Sequence, residues 1–198
     1  VQLMTQDKAY ERLRSARQRI ADQSEVTGHM ITAVKEGRAL ADDGNTYDSV
    51  QDAVDAASSF VKVGPGTFNE SVNISTVGIS LIGSGESTLI DAVSKGDAIS
   101  TTDDVTVSNI AVRTDSSSSG RGVTSGNNNV LKNITCLNSG DIGIAPNTDS
   151  VAYNCTALNS SASGIRSLGN RVIITNCDIY NTGSSALYTT NNDNILST

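Results

Sequence analysis

Gly122-Val123-Thr124, followed by Val130-Leu131-Lys132-Asn133-Ile134-Thr135-Cys136-Leu137-Asn138, is the stretch on which the fold turns. After a step of 21 residues the pattern returns as Gly143-Ile144 and then Val151-Ala152-Tyr153-Asn154-Cys155-Thr156-Ala157-Leu158-Asn159. Working outward, a small residue followed by an aliphatic one occurs at Ala98-Ile99, Gly122-Val123, Gly143-Ile144, Gly164-Ile165 and Ala186-Leu187, with steps of 24, 21, 21 and 22. Asn precedes an apolar residue at Asn109-Ile110, Asn133-Ile134, Asn154-Cys155 and Asn176-Cys177, with steps of 24, 21 and 22. A second Asn series, Asn138, Asn159 and Asn181, keeps steps of 21 and 22, and Val130, Val151, Val172 and Ile195 open a strand in each unit. Several markers sharing one step signal a solenoid.

Each unit holds short alternating segments separated by turn residues, in the Asn133 unit Gly122-Val123-Thr124, Val130-Leu131-Lys132 and Ile134-Thr135-Cys136. No unit contains a helical period, and the Leu-x-x-Leu-x-Leu strand of leucine-rich repeats is absent. The expected fold is an all-β solenoid, a right-handed single-stranded parallel β-helix, with an N-terminal α-helical segment and a short capping helix. Coils stacked at about 4.8 Å, the usual spacing of hydrogen-bonded strands, give five to six turns and a rod of roughly 25–30 Å. Equivalent residues then stack. Ile110, Ile134, Cys155 and Cys177 form one core column, Val112, Cys136, Ala157 and Ile179 another, and Asn138, Asn159 and Asn181 an Asn ladder at a turn. The three cysteines fall in the core columns and read as buried free thiols.

Ahead of the repeat the chain divides into residues 1–40, a helical attachment or oligomerisation segment, and 41–60, a turn and capping helix, before the β-helix of 61–198. Tyr10, Leu13, Ile20, Ile31 and Val34 fall on an imperfect 3-4 stripe, suited to a coiled coil or to packing on the protein itself. A trimer through these helices is the expected assembly. Asp42-Asp43-Gly44-Asn45 reads as a turn. Ser49 with Asp52 resembles a capping box, and Val50, Ala53, Val54 and Ala57 make one apolar helix face. Such a helix would cover the open end of the first coil. At the other end the last coil lacks a third strand, which predicts a partner or further chain there.

The chain of 198 residues has a net charge of -7, with 16 Asp, 5 Glu, 5 Lys and 9 Arg, no Trp and 4% aromatic residues. Without clustered cations it is not read as a nucleic-acid binder. Without 18 consecutive apolar residues it is not read as membrane-inserted. An Asp-rich surface suits concentrated salt, where screening acts over about 3 Å at 1 M.

The stretch Tyr47-Asp48-Ser49-Val50-Gln51-Asp52-Ala53-Val54-Asp55-Ala56-Ala57, then Val61-Lys62-Val63-Gly64-Pro65-Gly66-Thr67-Phe68-Asn69-Glu70-Ser71-Val72, resembles the opening of the pectate-lyase-like superfamily of right-handed parallel β-helices. Ile79-Ser80-Leu81-Ile82-Gly83-Ser84-Gly85 and the Asn-rich coils continue the likeness. That resemblance implies a β-helix of the type found in viral tail fibres and tailspikes, and polysaccharide lyases and esterases among its enzymes. Lyases of the superfamily use Asp-bound calcium with a basic Arg or Lys, and its hydrolases and esterases use facing carboxylates. In this sequence Asp141, Asp149, Asp178 and Asp193 occupy different coil positions, Arg113, Arg121, Arg166 and Arg171 are scattered, and the single His29 lies in the helical segment. No catalytic, metal or cofactor residue is therefore assigned.

The first expectation is a non-enzymatic virion component. It would be a tail fibre, spike or vertex protein of a virus of a halophilic archaeon or bacterium. Placed at the virion surface with other virion proteins, it would present the β-helix to a host glycan or surface protein. The alternatives are a secreted carbohydrate-active enzyme and a cell-surface binding module of a halophile. Sequons occur at Asn69, Asn73, Asn133, Asn154 and Asn159; the last three are expected to be buried in ladders, leaving Asn69 and Asn73 as the candidates.

Overall fold

A computed structural model describes residues 34–115, 119–189 and 194–197. They form a parallel β-solenoid of the right-handed type with about six turns. The sequence stripe at Tyr10, Leu13, Ile20 and Ile31 lies outside the described residues.

The strands are β1 (Ala39–Ala41), β2 (Thr46–Tyr47), β3 (Phe60–Val63), β4 (Gly66–Phe68), β5 (Val72–Ile74), β6 (Ser80–Asp91), β7 (Ile99–Thr101), β8 (Thr106–Arg113), β9 (Val123–Thr124) and β10 (Val130–Cys136). They continue as β11 (Ile142–Ala145), β12 (Val151–Tyr153), β13 (Thr156–Leu158), β14 (Ser163–Ser167), β15 (Ile173–Thr175), β16 (Asp178–Tyr180), β17 (Ser185–Thr189) and β18 (Ile195–Ser197). One sheet runs in the order β18-β15-β12-β10-β8-β6-β3-β1-β2, with β4, β13 and β16 attached beside it. The other runs β17-β14-β11-β9-β7-β5.

Strict register makes the interior a set of columns. Val61, Leu81, Val107, Leu131, Ala152, Ile174 and Leu196 pair in succession along the first sheet. Val72, Ile99, Val123, Ile144, Ile165 and Leu187 do so along the second. Ile90, Val112, Cys136, Ala157 and Ile179 form a third column. It explains the small residue before each aliphatic marker. A Cβ on Gly164 would sit 2.1 Å from Ile179 Cγ2, and one on Gly122 2.4 Å from Cys136 Sγ. In the Gly122 and Gly164 coils only a residue without a side chain lets the two sheets close at that corner, whereas Ala98 and Ala186 fit in theirs.

Several expectations need correction. Residues 34–40 are not helical: Gly37 takes φ 67, its N–H donates to the Pro65 carbonyl, and Ala39–Ala41 forms β1. Val34 therefore leaves the stripe and lies half-buried in irregular backbone. The edge of the first coil is paired by β1, which runs antiparallel to β3 and carries β2 on its far side. The helix α1 (Val50–Ala56) does form, with Ser49 Oγ accepting from Asp52 N–H. Glu70 also caps it, its carboxylate accepting from the N–H groups of Val50 and Gln51 and from Ser49 Oγ. Val50, Ala53 and Val54 are buried in the solenoid core. The segments Val130-Leu131-Lys132 and Ile134-Thr135-Cys136 merge into the single strand β10, bent where Asn133 adopts φ 52. In register Val151 pairs with Ile173 and not with Val172. Both residues are apolar, so period-2 alternation could not separate the inward one from the outward one.

Candidate binding groove

The corner between the two halves of the first sheet is made by Asn109, Asn133, Asn154 and Asn176, at φ 54, 52, 52 and 50. Asn tolerates this left-handed region better than other side-chain-bearing residues. Its amide also gives the corner a ladder. Asn133 Nδ2 donates to Asn109 Oδ1 at 2.7 Å, Asn154 Nδ2 to Asn133 Oδ1 at 2.8 Å, and Asn176 Nδ2 to Asn154 Oδ1 at 2.9 Å. Asn133 and Asn154 thus stand in a ladder of their own, separate from the one expected at Asn138, Asn159 and Asn181. The structure also brings together Asn138, Asn159 and Asn181: Asn159 donates to Asn138 at 3.2 Å and Asn181 to Asn159 at 2.7 Å. Asn154 and Asn159 are exposed and Asn133 is half-buried, against the expectation of burial. Their amide nitrogens are instead occupied within the ladders at an outward corner.

Ile110 and Ile134 pair in register and are buried, as is Cys155. Cys177 is partly buried, and its Sγ accepts from the Cys155 N–H at 3.4 Å. The cysteines of the described chain are free thiols. Burial pushes the Cys136 thiol up to about 12 and the Cys155 thiol well above its ordinary range. The hydrogen bond from Cys155 holds the Cys177 thiol below its usual value.

Above the first ladder lies a groove of about 240 Å³. Its polar walls are the four corner Asn residues with Thr135, Thr156, Glu86 and Asp178. Thr135, Thr156 and Asp178 are consecutive rungs of one outward column. At the near end Glu86, carried on the irregular part of β6, accepts a hydrogen bond from Thr135 Oγ1 at 3.3 Å. The groove thus offers stacked amides and hydroxyls across several coils, with a carboxylate at each end. Its lining holds two carboxylates and no Lys, Arg or His. An extended ligand rich in hydroxyl groups matches that surface, whereas a polyanion is repelled by it.

The arginines of the described coils sit elsewhere, each engaged. Arg113 bridges Asp91, Arg171 bridges Asp149, Arg121 Nε lies 3.1 Å from Asp141, and Arg166 lies over Tyr188. The first three pairs join successive coils, so arginines that look scattered in the sequence are ordered by the stacking. Asp104, Asn128, Asp149 and Arg171 share another left-handed corner, at φ 60, 55, 60 and 57. Asn128 Nδ2 donates to Asp104 there. An amide between two acids and an Arg beyond the second avoid a stack of like charges. Among the described residues no group of three or more His, Cys, Asp or Glu could hold a metal ion, and no described helix is long and apolar enough to cross a membrane.

Comparison with family models, with curated proteins and with solved structures finds no match for this chain.

Proposed function

We propose that this chain is a non-enzymatic structural and attachment protein of a virion surface, a rigid β-solenoid that presents its corner groove to a neutral glycan of the host surface. The observation that carries the reading is the continuous ladder from Asn109 to Asn176 beneath Thr135 and Thr156. It repeats hydrogen-bonding groups at the coil spacing, which suits a chain of repeating sugars. The acidic surface supports a host in concentrated salt, where charge repulsion is screened. The test is binding of the full chain to a panel of neutral and acidic glycans at high salt. Neutral oligosaccharides bind, and Thr156→Arg, which fills the groove from an outward position, weakens binding at least 10-fold at unchanged Tm. Indifference of binding to that substitution refutes the groove. Failure of antibodies against the chain to decorate particles refutes the virion assignment.

A second reading, a carbohydrate-active enzyme, draws support from Glu86 and Asp178 flanking one groove. Thr135, which holds Glu86, and Asp178 lie two rungs apart, about 10 Å at the usual strand spacing. That exceeds the roughly 5–9.5 Å between carboxylates in glycoside hydrolysis, and so favours binding over cleavage. Release of reducing ends that is lost in both Glu86→Gln and Asp178→Asn would reverse the preference.

A further inference from the structure

Two of the three cysteines stand on successive coils of one column. The register pairs Tyr153–Thr175 and Thr156–Asp178 on either side put Cys155 and Cys177 one rung apart, whereas Cys136 pairs with Ala157 in the neighbouring column. One rung is about 4.8 Å, within the roughly 4.4–6.8 Å between Cα atoms that a disulfide spans. The later sulfur leans toward the earlier coil. Cys177 Sγ accepts from the Cys155 N–H at 3.4 Å and lies 3.8 Å from the Ala152 carbonyl.

The two thiols are unequal. Cys155 is buried, its Sγ 3.3 Å from the Tyr153 carbonyl and 3.5 Å from that of Leu131. Cys177 is only partly buried. Hydrogen bonding from Cys155 holds the Cys177 thiol below its usual value, against burial and the charge of Asp178, while burial raises the Cys155 thiol. Cys177 is therefore the one that supplies a thiolate, the attacking species. The groove gives access: Cys155 lines it, as do Asn176 and Asp178, the chain neighbours of Cys177. Its charged groups are Glu86 and Asp178, which admit a neutral or cationic reagent and repel an anionic one.

We propose that Cys177 and Cys155 form a thiol–disulfide exchange site for small neutral or cationic disulfides, with Cys177 attacking and Cys155 resolving. Cys177 gives up its proton, and its sulfur attacks one sulfur of the reagent RSSR. A Cys177–SR mixed disulfide forms, and RS⁻ leaves and takes up the proton. Cys155 then turns from the Leu131 carbonyl, loses its proton and attacks Cys177 Sγ, expelling a second RS⁻ that is protonated in turn. Two protein thiols become one disulfide, and RSSR is reduced to two RSH. The new bond ties two coils together where the solenoid core is least covered. Ile179 and Leu187 are only partly buried, and Leu196 is 47% exposed although Val61, Leu81, Val107, Leu131, Ala152 and Ile174 of its column are buried.

The test is reaction of the reduced, native full chain with cystamine, quenched by alkylation and read by non-reducing peptide mass spectrometry. A Cys155–Cys177 disulfide within one chain is expected, with two thiols lost and Cys136 untouched. The urea midpoint rises on oxidation and returns with dithiothreitol. Cys155→Ser is expected to stop at a stable Cys177 mixed disulfide, and Cys177→Ser to slow the loss of thiols at least 10-fold. The wild-type map decides the matter even where a variant fails to fold. A mixed disulfide that persists at Cys177 in the wild type, disulfides only between chains, Cys136 reacting as fast as Cys177, or a native chain inert to cystamine overturns the proposal. No glycan enters the experiment, so its failure and that of the glycan reading are separate.

Discussion

Replacing Asn154 by Ala removes one rung of the corner ladder and leaves the backbone turn to be made by a residue poorly suited to it. Two side-chain hydrogen bonds are lost, the donation to Asn133 at 2.8 Å and the acceptance from Asn176 at 2.9 Å. Because the corner is exposed, each contributes near the low end of the usual range, about 0.5 kcal/mol. The left-handed φ of 52 remains, and Ala there costs on the order of 1 kcal/mol more than Gly. Asn154→Ala is therefore expected to destabilise by about 2 kcal/mol and Asn154→Gly by about 1 kcal/mol. Urea unfolding followed by far-UV circular dichroism measures both, with equal m-values as the check that the same surface unfolds. A double-mutant cycle with Asn133→Ala isolates the rung itself, expected at about 0.5 kcal/mol of coupling. If Ala and Gly prove equally costly, the corner is not held left-handed. If the cycle shows no coupling, the ladder is a repeat of residue type without energetic content.

Other outcomes follow from the same stacking. Gly164→Ala places a Cβ 2.1 Å from Ile179 Cγ2 and is expected to cost about 1–3 kcal/mol by overpacking; Ile179→Ala in the same chain should restore part of that in a thermal melt. Asp91, paired with Arg113, is held below its ordinary carboxylate value chiefly by that hydrogen bond. Its contribution is thus present above the ordinary value and lost as pH falls through the lowered one. Asp91→Asn should flatten the acid limb of stability below the usual carboxylate range by about 1 kcal/mol, a modest figure because Arg113 is part-exposed. Alkylation at pH 8 should label Cys177 in the native protein and reach Cys136 and Cys155 only on unfolding, since the thiolate is the nucleophile and burial suppresses it in the last two; mass spectrometry of digests reads the order.

The solenoid was legible because its core columns reuse one chemical type at one step. Ile99, Val123, Ile144, Ile165 and Leu187 stay aliphatic in every coil, and the Asn corners stay Asn. The inter-coil ion pairs were not legible by the same method, although they obey the same period. At the corner formed by Asp104, Asn128, Asp149 and Arg171 the residue changes at each rung, because a column of like charges would repel itself. A stack that must alternate in charge hides from a search for repeated letters. The groove was half legible: its Asn floor repeats, but Glu86 reaches it from an irregularity in β6 between Gly85 and Leu89, where the period is interrupted.

The misplacement of Val172 carries a different lesson. In a sheet with one wet face, Val172 and Ile173 could not both be apolar without one being exposed. Yet Val172 belongs to the solenoid core and Ile173 to the separate outer cluster, and both are buried. Ala152 and Val151 divide in the same way one coil earlier. Strands that lose alternation in consecutive coils are strands with two dry faces. The ambiguity that defeated the register assignment is thus itself a sign, present in the sequence, that this side of the rod is built to be covered. A polar replacement distinguishes the two conditions. Tyr153→Glu, at the margin of the outer cluster, should be nearly neutral if the face is wet. On a face as dry as Val151 and Ile173 indicate, it should cost about 1–3 kcal/mol through burial of an unpaired carboxylate, read in urea unfolding. A neutral effect would refute the reading of two dry faces.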